Sequence, residues 1–123
     1  MQQATRIIAI RHGETAWNGD TRIQGHLDIA LNDTGHWQAR QLGRALAQEP
    51  VTAIYSSDLQ RAMATAQAVA DSTGAPLRPE RDLRERSFGA LEGRTFAEVQ
   101  AEQPDVAQRW RKRDPHFAPE GGE

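Results

Sequence analysis

Hydrophobic positions in this chain come in short clusters separated by long polar runs. The first cluster, Ile7-Ile8-Ala9-Ile10, follows Arg6 and is bounded by Gly13. A β-branched run with a glycine close behind it predicts a short buried strand. Residues 13 to 31 then lose all periodicity and carry Gly13, Gly19 and Gly25, which predicts a long polar loop. From Asn32 the spacing changes. Ala39, Leu42, Ala45 and Leu46 recur at helical intervals behind an N-capping Asn32, and Pro50 marks the stop. In that helix Trp37 is expected to pack and His36 to be solvated. Val51 to Tyr55 predicts a second strand, running into Ser56-Ser57-Asp58. Ser57 or Asp58 is placed to cap another helix, with Met63, Ala66, Val69 and Ala70 on one face and Gly74 just past its end. Ala75 to Arg78 predicts a third, brief strand. The strand-helix-strand-helix-strand order implies right-handed crossovers and a parallel sheet, hence an α/β fold.

The last third is patterned differently. Residues 82 to 93 mix charges and glycines with too few apolar positions for a buried element. Thr95 and Glu98 have capping-box spacing and open a helix through roughly Gln103. Pro104 suits the first turn of a further helical segment that includes Val106 and Trp110. From Arg111 the chain becomes polar and aperiodic.

Composition narrows the classes. The 123 residues suit one domain, and 37% hydrophobic with 26% charged residues allow a modest core. A mean hydropathy of -0.74 implies a very polar surface or an incomplete domain. The net charge of -2 leaves no electrostatic footprint for nucleic acid, so any basic site must be local. Without cysteine, disulfide and thiolate chemistry are excluded. The first residues hold no apolar signal region and no stretch is long enough to span a membrane, so a cytoplasmic protein is expected.

Candidate chemistry begins where the first cluster ends. The expected strand delivers Arg11 and His12 at its carboxyl end, where open α/β sheets bind their ligands. A histidine there can be a nucleophile, a base or a metal ligand. Arg11 argues against a metal, because a fixed cation repels it, and for a phosphoryl group, whose oxygens fit a guanidinium fork. A plain surface Arg-His pair is an equally weighted reading of these two residues. The loop glycines let backbone N–H groups approach an anion closely, and Asn18 and Gln24 are either neutral donors to such a cradle or ordinary turn residues. Arg61 stands in the first turn of a helix, where a cation does not help the helix dipole. It reads as a second phosphate fork, against a lesser reading as a surface arginine. Glu85, Glu92 and Asp82 are all candidate acids. His26, His36 and His116 share no pattern, and no Walker motif, internal repeat or metal-ligand spacing is present.

Together these pieces resemble the histidine phosphatase superfamily, which includes the cofactor-dependent phosphoglycerate mutases. The resemblance rests on Arg11-His12-Gly13-Glu14-Thr15 with Asn18, on Leu31 through Gly35 with Gln38-Ala39, on Ser56-Ser57-Asp58-Leu59 with Arg61 and Thr65-Ala66, and on Glu85 followed by Phe88-Gly89 and Glu92-Gly93. It implies a three-layer α/β sandwich with a mostly parallel sheet, of which residues 1–123 form the N-terminal part of a single domain. It further implies that His12 takes the phosphoryl group as phosphohistidine. Arg11 and Arg61 then hold its oxygens with help from Asn18, Gln24 and Gly25, and Glu85 protonates the leaving oxygen. Arg86 joins the implied substrate-binding set. No metal or organic cofactor is implied. The implied partner is a small-molecule phosphomonoester, with a homodimer among the assemblies allowed.

Phe88-Gly89 with Glu92-Gly93 looks like the phosphatase branch, and Gly25-His26 departs from the Gly-Trp pair common in mutases. A phosphatase is therefore expected over a phosphoglycerate mutase. Family members also carry a second histidine on a strand beyond the point that Glu123 reaches, so a fragment or truncated chain is expected. A phospho-ligand-binding remnant without turnover is the competing class, disfavoured by the retained Glu85.

Overall fold

The first element is a single turn inside the expected loop. In the computed structural model, which describes residues 4–123, α1 spans Ala16–Gly19. Thr15 and Asn18 form a reciprocal capping box, each side chain accepting the other's backbone N–H. The second helix, α2, spans Asp33–Leu46 and is capped by the Asn32 side chain, as its spacing predicts. Asp33 in its first turn and Arg44 in its last suit the helix dipole.

Strand β1 (Ile54–Ser56), helix α3 (Gln60–Thr73) and strand β2 (Leu77–Pro79) form a parallel βαβ unit, with Ile54 opposite Leu77 and Ser56 opposite Pro79. Helix α3 stops at Gly74, whose φ of 75° breaks the helical path. Its start differs from expectation. Leu59 is the N-cap and lends no side-chain bond, while Asp28 reaches over from the loop to accept the Gln60 N–H at 2.7 Å. Ser57 only accepts from Leu59 N–H at 3.3 Å, and Asp58 turns instead to Arg84.

Two further helices, α4 (Phe96–Glu102) and α5 (Pro104–Arg111), follow the predicted capping box and N1 proline. They enclose a small core of Ile23, Leu91, Val99 and Ala107, covered by Phe88, Phe96, Trp110 and Phe117. The rings of Phe88 and Phe96 lie 5.7 and 5.4 Å from that of Trp110. Residues 82 to 93 contribute to this core, contrary to expectation. Short 3-10 turns at Arg81–Leu83 and Gly89–Leu91 fold the segment, and the second one buries Leu91. One well-placed leucine is enough where the packing surface comes from other elements.

The largest departure is at the beginning. Residues 6 to 10 are not a buried strand: the segment has no regular secondary structure and Ile7 is 84% exposed. A strand exists only through its ladder, and among the described residues no backbone hydrogen bond reaches residues 4 to 11. Trp37 is also exposed rather than packed. No helix among the described residues is long and apolar enough to cross a membrane.

Candidate active site

A cavity of about 1340 Å³ opens between the N-terminal segment and the βαβ unit. Its lining includes Ile7 to Ile10 and Val51 to Tyr55, together with Arg11, His12, Asn18, Gln24, Gly25, Arg61 and Glu85. Seven of the eight expected site residues thus share one wall system although they span more than seventy positions of sequence.

His12 is half-buried and its orientation is fixed locally. Its Nδ1 lies 2.6 Å from the Gly13 carbonyl oxygen. A carbonyl only accepts, so Nδ1 carries the proton, and in the neutral ring Nε2 keeps its lone pair. The His12 pKa is lowered from its ordinary 6.5, chiefly by burial. The bond to Gly13 raises it, Arg61 and Arg11 lower it, and Glu85 raises it. The ring is therefore neutral near pH 7.

The backbone behind His12 is tightly seated. Gly13 donates to Thr65 Oγ1 at 3.0 Å, and a Cβ on Gly13 would meet the Gly35 carbonyl oxygen at 2.5 Å. Gly35 in turn abuts the Glu14 backbone, so two glycines let the residues after His12 pass directly over the start of α2.

Arg61 is 2% exposed. Its guanidinium donates through Nη1 to Leu27 O at 2.6 Å and through Nη2 to Gly25 O at 2.5 Å. Those bonds hold the 24–27 loop against α3 and aim the group, whose other N–H donors remain for a ligand. Burial lowers the Arg61 pKa, and Glu85, Asp28 and Glu92 work in the opposite direction. Arginine stays protonated through such shifts.

Asn18 and Gln24 are oriented by Thr15, a fully buried residue. Asn18 Oδ1 accepts the Thr15 N–H at 2.8 Å, and Gln24 Oε1 accepts the Thr15 hydroxyl at 2.8 Å. Both amide oxygens are thus engaged, and both residues line the cavity.

The acids separate by their partners. Glu92 is committed to the backbone N–H groups of His26 (2.7 Å) and Phe88 (3.3 Å), which ties the loop to the second 3-10 turn. Asp82 does not line the cavity. Glu85 does, and its only hydrogen bond among the described residues is from the adjacent Arg86 N–H to one carboxylate oxygen. Its loop is anchored next door, where Arg84 grips Asp58 through two bonds of 2.6 and 2.8 Å. Arg86 departs from the expected set. It does not line the cavity, because its guanidinium donates to the carbonyls of Phe117 and Glu123.

On the sequence alone Asp58 reads as a helix cap and Thr15 and Thr65 as parts of the family motifs, while Asp28 and Arg84 carry no role. Of the bonds these residues make, only that of Thr15 carried a local signal, its capping spacing to Asn18. The others act across 26 to 52 residues, beyond the reach of periodicity.

The family model of the histidine phosphatase superfamily (branch 1) matches residues 7–123. The chain belongs to that superfamily. It is 43% identical over 102 residues to phosphoglycerate mutase-like protein 4 of Arabidopsis thaliana, covering 81% of this chain and 44% of the relative. It is 42% identical over 118 residues to glucosyl-3-phosphoglycerate phosphatase of Mycolicibacterium vanbaalenii, covering 96% and 52%. A solved mycobacterial glucosyl-3-phosphoglycerate phosphatase in complex with VO3 superposes with a TM-score of 0.85 at 38% identity, over 91% of this chain and 53% of that one. The chain thus spans about half the length of the curated relatives it matches.

Proposed function

We propose that this superfamily chain serves a phosphomonoester hydrolase acting on a small phosphorylated metabolite through a phosphohistidine at His12. The observation that carries the reading is the Nδ1–H bond of His12 to Gly13 O, which leaves Nε2 as a free lone pair beside two guanidiniums. In the first step Nε2 attacks phosphorus, the bond to the leaving oxygen breaks, and Glu85 gives that oxygen its proton. In the second, water attacks the phosphohistidine, Glu85 takes the water proton, and inorganic phosphate leaves with His12 restored. Arg11 and Arg61 offset the charge that spreads over the equatorial oxygens, with the amide groups of Asn18 and Gln24 assisting. A relative named as a phosphatase, solved with VO3, supports a phosphoryl-sized occupant for the cavity. A cytoplasmic small-molecule substrate goes with this reading.

A phosphoglycerate mutase is the second reading, favoured by the mutase-like relative at 43% identity. Rapid alkaline quench with radiolabelled p-nitrophenyl phosphate tests the first. Label should stay on the wild-type protein and on variants of His26, His36 or His116, and should be absent from His12→Asn. Label on His12→Asn overturns the assignment. With phosphoglycerate as substrate, free phosphate marks the hydrolase and an isomerised product marks the mutase.

A further inference from the structure

Thr65 lies one helical turn after Arg61 on α3 and is 4% exposed. Its hydroxyl donates to the Arg61 carbonyl at 2.8 Å. That bond is the ordinary back-bond of a helical threonine to the carbonyl four residues earlier. The other half is not ordinary. The same oxygen accepts the Gly13 N–H at 3.0 Å, from a segment 52 residues away. Gly13 then uses its carbonyl to take the His12 Nδ1–H. One unbroken chain of bonds therefore runs from the backbone of Arg61, through the Thr65 hydroxyl and the Gly13 residue, to the imidazole.

Among the described residues no backbone hydrogen bond reaches residues 4 to 11. Thr65 is the first point after that segment at which its backbone is fastened to the βαβ unit. Hydrophobic contact alone does not set a position along the chain to the precision that a reacting nitrogen needs.

We propose that Thr65 is a positioning residue, which acts through Gly13 to hold the His12 imidazole in register with the Arg61 guanidinium. It touches neither the phosphoryl group nor the leaving oxygen. Valine at this position keeps the shape and loses both bonds, whereas serine keeps the hydroxyl and loses a methyl group.

The test uses the protein that carries this chain, as wild type, Thr65→Val and Thr65→Ser. One arm reads hydrogen exchange of the Gly13 amide and the pH titration of the His12 ring by NMR. The other reads kcat and KM for p-nitrophenyl phosphate. Thr65→Val should expose the Gly13 amide to faster exchange, move the His12 titration, and lower kcat by up to ~10²-fold with KM little changed. Thr65→Ser should restore all three. The kinetic arm rests on the phosphohistidine reading, but the NMR arm does not, so an inactive wild type still leaves the tie testable. If Thr65→Val does not fold, Thr65→Ala removes the same bonds in a better helix former. Unchanged exchange and titration in the hydroxyl-free variant overturns the proposal. So does a serine variant that behaves like valine.

Discussion

The two ends of the chain are stabilised by opposite means. Around Val99 the C-terminal half is closed by packing: Leu91, Ala107 and Ile23 meet under four aromatic side chains, and Val99 itself has no exposed surface. Around Ile7 the N-terminal segment is open, with its side chains reaching water and its backbone unladdered among the described residues. The candidate nucleophile sits at the end of the open region. What fixes it is a set of directional bonds: His12 to Gly13, Gly13 to Thr65, and Arg61 to the carbonyls of Gly25 and Leu27. Packing tolerates small shifts of a side chain, whereas a phosphoryl site needs its donors aimed. The open region is thus specified by hydrogen bonds and the closed one by volume.

Breaking the central bond set should have the largest effect. Arg61→Met keeps much of the buried volume but leaves the Gly25 and Leu27 carbonyls without their donor. An unsatisfied buried carbonyl costs ~1–3 kcal/mol, which applies to Gly25 and not to the exposed Leu27, so a loss of about 1–3 kcal/mol is expected, with turnover of p-nitrophenyl phosphate falling to background. Denaturant melts read the first and p-nitrophenyl phosphate hydrolysis the second. A variant that keeps its stability would mean that the loop carbonyls are satisfied by water and that Arg61 is not a structural pin.

Next in size is the acid. Glu85→Gln should slow alkyl phosphates by ~10²–10⁴-fold, the usual value of a general acid. A p-nitrophenyl leaving group needs little protonation and should lose far less. Equal losses would transfer Glu85 from proton donor to substrate holder.

A paired truncation sharpens the comparison itself. Val99→Ala removes fully buried methyl groups, at ~0.8 kcal/mol per carbon plus a cavity term, so about 2 kcal/mol is expected. Ile7→Ala removes more carbon from a side chain that is mostly in water already, and should stay within ~0.5 kcal/mol. A larger cost at Ile7 would show that its surface is covered in the protein in solution.

The same contrast explains what the sequence made legible. Helices α2, α4 and α5 were readable because their start signals are local: Asn32, Thr95 and Pro104 sit where the chain starts to turn, whereas α3 was readable from its period and its Gly74 stop but not from its cap. The strand at Ile7 to Ile10 was readable as a propensity only. Propensity says that a segment suits a ladder, and partners decide whether the ladder exists. In the site, residue types brought out Arg11, His12 and Arg61 and left three acids open, and the family resemblance singled out Glu85; all four line one cavity. The bonds that aim them were invisible, because Thr65 and Asp28 look like any helical threonine and any loop aspartate. Arg86 misled for the opposite reason. A cation beside the acid suits a phosphorylated ligand, but backbone carbonyls of the last residues claim it first.

The smallest effect expected is a pH dependence that belongs to His12. Its folded pKa lies below 6.5, chiefly through burial, with Arg61 and Arg11 adding to the depression. As pH falls past the ordinary value, the unfolded chain takes a proton on this residue and the folded chain does not. Acid therefore favours the unfolded state. Folded stability is full above that range, erodes as pH falls toward the folded pKa, and loses no more from this group below it. His12→Asn removes the group, so its stability should fall less steeply on acidification than that of the wild type. The other histidines are common to both proteins and cancel in the difference. Denaturant midpoints compared from about pH 8 to about pH 5 read the slopes. Parallel curves would mean that His12 is as solvated in the folded protein as in the unfolded one. In that case the neutral imidazole would owe nothing to burial.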